Sequence, residues 1–237
     1  MGSRVSVLKI GGSVLTHRGS YRRVAAFIGE WLCLHPGERL VAVVSARFGT
    51  TDALLAKARD IAGDPDPEIL DLLWSTGETE STALLALHLQ AHGVRAAAAN
   101  VHQTGLGEAP VVRPLRLRAL VERVDVVVAP GFLARGYADA IVSLGRGGSD
   151  LTAVLLAVGL GAERCELVKD VPGYFSGDPK RDPGARPLAR LTYSRAIEMA
   201  DAGCDLVQGQ ALRAANDARL PLVIRSLSGT ESTLVTV

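Results

Sequence analysis

Cysteine is scarce in this chain, and so is net charge. Cys33, Cys165 and Cys204 are odd in number and have no CxxC spacing, which argues against a disulfide framework and against structural zinc and points to a reducing compartment. The formal charge is only +1, from 26 basic and 25 acidic residues, so the overall field favours neither nucleic acid nor an acidic membrane surface. The one basic run, residues 113–123, is broken by Pro114 and interleaved leucines and reads as a solvated helix face. No apolar run reaches membrane-spanning length, and no N-terminal apolar region precedes a small-residue cleavage site, so a cytoplasmic location is expected. Internal repeats and low-complexity segments are also missing. His88 and His92 have the i, i+4 spacing of a zinc helix, but Leu89 stands where that motif needs its glutamate. Cys33-Leu-His35 reads as a helix end. Gly105-Leu-Gly107 lacks the third glycine of a dinucleotide fingerprint.

Apolar residues are plentiful: 48% of 237 residues are hydrophobic and 22% charged, enough for one large core in one domain or two closely joined lobes. Continuous apolar runs predict strands at residues 5–10, 40–45, 94–99, 124–129, 166–168, 222–226 and 233–237. Helical periodicity predicts helices at 21–34, 51–62, 67–92 (broken or bent near Ser75-Thr-Gly77), 149–160, 193–202 and 206–219. Apolar strands alternating with helices indicate an α/β chain whose mainly parallel sheet is covered on both faces. Residues 172–187, rich in Pro, Gly and Asp, form the longest irregular stretch and read as a functional loop. Trp31 and Trp74 are expected in a core or interface.

Ligands of such sheets gather at the carboxyl ends of strands, and the polar clusters fall there. Lys9-Ile-Gly-Gly-Ser13 ends the first strand, and Ser45-Ala-Arg-Phe-Gly-Thr-Thr-Asp52 follows the second. Gly131-Phe132 and Lys169-Asp170 follow two more. Ser143-Leu-Gly-Arg-Gly-Gly-Ser-Asp150 then opens a helix. Its glycines let backbone N–H groups approach phosphate oxygens, and Arg146 offers a planar fork for a carboxylate or phosphate. A phosphate-handling site is the leading reading of this pattern.

These residues resemble the amino-acid kinase family, most closely its aspartate kinase branch. Lys9-Ile-Gly-Gly-Ser13 is similar to the family's K-F-G-G-T/S turn, and Val43 to Asp52 to its V-V-S-A-M-x-G-x-T-D segment. Ser75-Thr-Gly-Glu78 matches S-x-G-E, and Ser143 to Asp150 matches T-L-G-R-G-G-S-D. Asp170-Val-Pro-Gly173 with Asp178-Pro179 matches D-V-x-G…D-P, and residues 193–200 resemble S-Y-x-E-M-x-E-L. The resemblance implies a three-layer αβα sandwich with a mainly parallel open sheet. It implies one domain over 1–237, with a substrate-binding N-terminal half and a nucleotide-binding lobe at about 160–237. The implied activity is transfer of the γ-phosphoryl group of ATP, with Mg²⁺, to the side-chain carboxylate of aspartate or a similar small amino dicarboxylate. A homodimer is implied as well.

Residue by residue, Lys9 would bridge β- and γ-phosphate oxygens beside the N–H groups of Gly11, Gly12, Gly147 and Gly148, with Ser13 and Ser45 in the same turns. Thr51, Glu78, Arg146 and Asp150 would hold the acceptor, Arg146 on its carboxylate and Glu78 and Asp150 ordering its ammonium group and the neighbouring lysine. Asp170, Gly173, Phe175, Asp178 and Lys180 would lie against the nucleotide, Phe175 and Lys180 standing where the family usually has Tyr and Arg. Glu78 could instead cap or bend a helix, since Ser75 and Thr76 are natural capping residues. Asp150 could cap the helix it opens.

An acceptor carboxylate with a pKa of about 4 is already ionised at neutral pH, so the chemistry needs positioning and charge neutralisation rather than a general base. Mg²⁺ is expected to arrive on the nucleotide, with few protein ligands. Two departures stand out. Where the family has G-A-K-V-L-H-P, this chain has Gly203-Cys-Asp-Leu-Val-Gln-Gly209, so Asp205 replaces a phosphate-facing lysine. Against one phosphate charge at about 5 Å and an effective dielectric of 20, each unit of charge is worth about 3 kcal/mol. Lys169, where the family has Thr, could place a replacement cation nearby, and Lys180 is a second candidate for that role. Regulatory ACT-type domains do not follow the motifs, so no feedback inhibition by lysine or threonine is expected. Two alternatives remain: a kinase of another carboxylate or phosphate acceptor, and a non-catalytic nucleotide-binding subunit.

Overall fold

A computed structural model describes residues 4–107, 112–145, 147–179 and 181–237. Arg146 and Lys180 therefore lie outside the described residues. The chain alternates β1 (Val5–Ile10), α1 (Arg18–Leu34), β2 (Arg39–Val44), α2 (Thr50–Ile61), α3 (Pro67–Ala91), β3 (Ala96–Ala98), α4 (Val101–Thr104) and α5 (Leu115–Val121). It continues with β4 (Val126–Pro130), β5 (Leu133–Arg135), β6 (Ile141–Ser143), α6 (Gly148–Leu160), β7 (Cys165–Lys169), β8 (Arg190–Thr192), α7 (Tyr193–Asp201), α8 (Gly209–Asp217), β9 (Leu222–Ser226) and β10 (Ser232–Thr236).

Eight strands form one sheet in the order β3-β4-β2-β1-β7-β9-β10-β8. Every pairing in it is parallel except β9 with β10, and β5 and β6 form a separate antiparallel hairpin. The period of two divides the strand residues between two cores. Val7, Val41, Val43, Val127 and Leu167 face α5, α6, α7 and α8. Leu8, Ile10, Ala42, Val44 and Val128 face α1 and α3. The expected three-layer αβα sandwich is thus the architecture seen. From β1 the chain goes to β2 on one side, while β7 pairs on the other. A crevice for ligands opens at such a switch of direction, beyond the carboxyl ends of the strands.

Several elements differ from their sequence-based bounds. α1 begins at Arg18, because the His17 N–H donates to Ser20 Oγ at 3.3 Å while the Ser20 N–H donates to the His17 carbonyl at 2.9 Å. α3 is not broken near residues 75–77 but runs unbroken for 25 residues. Its Ser75 and Thr76 hydroxyls donate back to the carbonyls of Leu72 and Leu73, each at 2.7 Å. The absence of a side chain at Gly77 makes room for the methyl of Thr50, which a Cβ would meet at 2.9 Å. α8 starts three residues late, since Gln208 is still extended (ψ 131°). The β5–β6 hairpin and β8 each have three-residue strands, too short for a period to register. Trp31 is buried and donates to Glu166 Oε1 at 2.9 Å.

Candidate active site

Lys9 is a charged residue in a buried strand. It sits two residues after Val7, on the same face, and so points towards α6 rather than α1. Asp150, in the first turn of α6, meets it there: Lys9 Nζ lies 2.9 Å from Asp150 Oδ1. Lys169, the last residue of β7, reaches the other oxygen, Oδ2, at 2.7 Å. Two lysines from neighbouring parallel strands thus share one carboxylate, and all three side chains are nearly enclosed.

Burial alone would raise the Asp150 carboxyl. The charges of Lys9 and Lys169 and their hydrogen bonds outweigh it and hold the group below the usual carboxylate range. Lys169 is pushed down from the ordinary ammonium value by desolvation first and then by the charge of Lys9, with Asp150 pulling the other way. Glu78, on α3, faces the same space. Burial pushes it up to about 8, although the Ala46 N–H and the Lys9 charge both pull it down. Its Oε2 has no hydrogen-bond partner. A buried carboxyl with an idle oxygen is arranged to receive a donor.

Around these groups lies a cavity of about 860 Å³. It gathers Lys9, Gly12, Ser13, Ser45, Thr51, Glu78, Gly147, Gly148, Asp150 and Lys169 from the residues expected at the site. Gly12 allows the turn after β1 to press on the turn after β2, where a Cβ would meet the Ala46 carbonyl at 2.9 Å. Gly11 does not line the cavity, but a Cβ there would lie 3.4 Å from Lys9 Nζ. Asp170 also stands outside the lining and accepts from Ser13 Oγ at 3.0 Å.

Gly173, Phe175 and Asp178 are not brought to the cavity. Gly173 is pressed against Thr233 of β10, and the Tyr174 N–H donates to Thr233 Oγ1 at 2.9 Å. Phe175 bridges to Pro187, folding the loop back on itself, and Asp178 pairs with Arg181 at 3.5 Å. Arg146 and Lys180 lie outside the described residues.

Other lining residues carry weaker sequence signals or none. Trp74, expected only in a core or interface, lines the cavity edge-on to Phe132, with centroids 5.8 Å apart. Phe132 adopts a left-handed φ of 68°. Arg47, Phe48, Cys204, Asp205, Val207 and Gln208 complete much of the wall. Asp205 is therefore part of the site, as its motif position implies. His92, by contrast, ends α3 with Nδ1 2.7 Å from the His88 carbonyl oxygen.

Glu78 supplies a pH test. Its folded pKa is raised, so the folded chain keeps a proton that the unfolded chain releases. The stabilisation from neutral Glu78 is complete below about 4.5 and is lost as pH rises through about 8. Stability from this group should fall across that window with a slope approaching about 1.4 kcal/mol per pH unit. In Glu78→Gln that component should vanish. Urea midpoints measured across the window check it, and parallel pH profiles for the two proteins would remove the assignment.

The sequence model of the amino acid kinase family matches residues 4–226. The chain is 37% identical over 228 residues to the aspartokinase of Thermus thermophilus, covering 93% of this chain and 56% of that protein. It therefore spans about half the length of the curated relatives it matches. The crystal structure of aspartate kinase from Synechocystis superposes with a TM-score of 0.89 at 36% identity, over 98% of this chain and 40% of that one. Uridylate kinase from Archaeoglobus fulgidus has the same fold at full length, with a TM-score of 0.72 at 19% identity over 98% of this chain and 99% of that one. With a family model matched along nearly its whole length and a lysine–aspartate–lysine cluster at the switch point of the sheet, the chain belongs to the amino acid kinase family.

Proposed function

We propose that this chain transfers the γ-phosphoryl group of ATP to the side-chain carboxylate of aspartate or a similar small amino dicarboxylate. The observation that carries the reading is the Lys9–Asp150–Lys169 cluster facing Glu78 across one cavity, in a chain whose relatives at this identity are aspartokinases. A carboxylate oxygen of the acceptor attacks the γ-phosphorus, the bond from that phosphorus to the β–γ bridging oxygen breaks, and ADP leaves with the charge. Lys9 and Lys169 neutralise the phosphate oxygens, and the N–H groups of Gly12 and Gly147 add donors, that of Gly148 being held by the Gly145 carbonyl at 2.9 Å. Glu78 takes the acceptor's ammonium group, Thr51 and Asp150 help position it, and Arg146 receives a carboxylate. Residues from about 160 onward are the nucleotide side of this reading, with Asp170 bonded to Ser13 of the cavity wall. Gly173, Phe175 and Asp178 stand off the cavity and would meet only a part of the nucleotide that extends past it, and Lys180 is assigned there by its motif position alone.

Mg²⁺ suits this donor set as a partner of the nucleotide. It favours oxygen ligands and retained waters, and the Asp170 carboxylate beside the Ser13 hydroxyl offers oxygen donors that would hold it. When bound it adds positive charge to the transferring oxygens. The reading includes a homodimer working in the cytoplasm. Among the described residues no helix is long and apolar enough to cross a membrane.

A second reading rests on Asp205 in the cavity wall: a carboxylate beside incoming phosphates could favour a different acceptor or a nucleotide-binding role without turnover. Hydroxylamine trapping of acyl phosphate with ATP and Mg²⁺ separates the readings. Aspartate, glutamate, N-acetylglutamate and a no-acid control are compared. Signal with aspartate is expected. Signal with another acid alone selects the second reading, and silence from every acid while ATP binds overturns the proposal.

A further inference from the structure

A second cavity, of about 490 Å³, lies away from the residues just described, where α4, the start of α5 and the end of β5 meet. Its side chains are unusual in sign. His102, Arg113, Arg116 and Arg135 line it, and among the described residues no carboxylate does. Arg135 reaches one acid, Asp139, at 3.2 Å on the exposed hairpin. Arg113 and Arg116 form no ion pair with any described residue. Other arginines of this chain do take carboxylates, as Arg95 takes Asp125 at 2.7 Å and Arg213 takes Asp201 at 2.7 Å.

The backbone holds these arginines together. The Arg113 N–H donates to the Gly105 carbonyl at 2.9 Å, and the Arg135 N–H donates to the Leu106 carbonyl at 2.9 Å. Gly105, at φ 73°, lets the chain cross so closely that a Cβ would meet the Arg113 carbonyl oxygen at 2.2 Å. Arg116 follows Arg113 by three residues, on a helix anchored by fully buried Leu117. Like charges fixed around a concavity raise the local potential and concentrate an anion there. Guanidinium forks match the oxygens of phosphate in pairs, and the volume falls in the range of small-molecule sites.

We infer that this cavity is a second anion site, separate from the nucleotide cavity, that takes a small phosphorylated molecule carrying a pyrophosphate-like group. The inference does not depend on which acceptor the kinase site uses, and its readout is binding, not turnover. The probe is inorganic pyrophosphate, titrated calorimetrically and fitted to two sites, the nucleotide cavity and this one, with citrate as a polycarboxylate arm; the heat lost on substituting the cavity's arginines is that of this site. Pyrophosphate is expected to bind, and Arg113→Gln with Arg116→Gln to weaken it by about tenfold or more. Arg118→Gln, on the same helix but bonded to the Gly159 carbonyl at 2.9 Å and outside the cavity, is expected to leave affinity within about twofold.

Unchanged affinity in the double variant overturns the site. Equal weakening in Arg118→Gln reduces it to diffuse surface charge. No binding of pyrophosphate at about 1 mM, a free energy near −4 kcal/mol, overturns it too. Citrate binding as tightly as pyrophosphate overturns the phosphate class.

Discussion

Lys9→Ala is expected to lower phosphoryl transfer by about a thousandfold, the cost of about 4 kcal/mol of transition-state stabilisation, while the chain still folds. The two halves of that expectation have separate causes. Charge accumulates on the oxygens of the transferring group, and a preorganised cation in a closed cavity acts on it more strongly than water can. Folding survives because Asp150 keeps Lys169 at 2.7 Å when Lys9 is removed, so no buried carboxylate is left alone. ATP affinity should fall far less than turnover, because the glycine-rich turns and Lys169 remain. Single-turnover rates set against ATP binding measure the split. A variant that turns over at the wild-type rate would falsify the placement of Lys9 at the phosphates, and equal losses in binding and rate would assign it to ground-state binding.

Lys9 was legible because a lysine at the end of Val5-Ser-Val-Leu-Lys-Ile10 breaks an apolar run at the place where strands deliver ligands. Asp150 was legible as the acid closing the Gly-rich loop that opens a helix, and Glu78 only through the S-x-G-E resemblance, since it stands among polar residues 75–82. The parallel core strands were legible from continuous apolar runs, and β1, β2, β7 and β9 fall within a residue of their expected bounds. What escaped is set by tertiary contact. Trp74 reaches the cavity because α3 runs on unbroken past Gly77, and no local period announces that. Phe132 was marked by its place after β4, but its left-handed backbone and its ring contact with Trp74 were not. Gln208 and Val207 belong to a pattern that looks helical, yet the helix starts only at Gly209 and Gln208 stays extended, so both close the wall. The opposite case is Phe175, which has a motif position but whose loop folds on Pro187.

Asp150→Ala is expected to destabilise the fold by about 3–5 kcal/mol, the range for removing one member of a buried ion pair. Two lysines would then face each other in a space where their side chains are only 7% and 12% exposed. Lys169, already held down by desolvation and by Lys9, loses the one charge that pulls it up. Its folded pKa drops further below the unfolded value, so the unfolded chain binds more protons and the variant should gain stability as pH rises towards the ordinary lysine range. In the wild type Asp150, held low, contributes stability that is lost as pH falls through the acidic range of that carboxylate. An anion can also stand in for the missing group. Inorganic phosphate between Lys9 and Lys169 would replace the carboxylate, and mass action would add RT ln(1 + [L]/Kd) to the folded state. Phosphate should therefore raise the thermal midpoint of Asp150→Ala more than that of the wild type, whose lysines are occupied until a ligand displaces Asp150. Equal stabilisation of both proteins would mean that the lysines are not the phosphate-binding groups, and the carboxylate between them would then be a structural strut rather than the place-holder for a phosphoryl group.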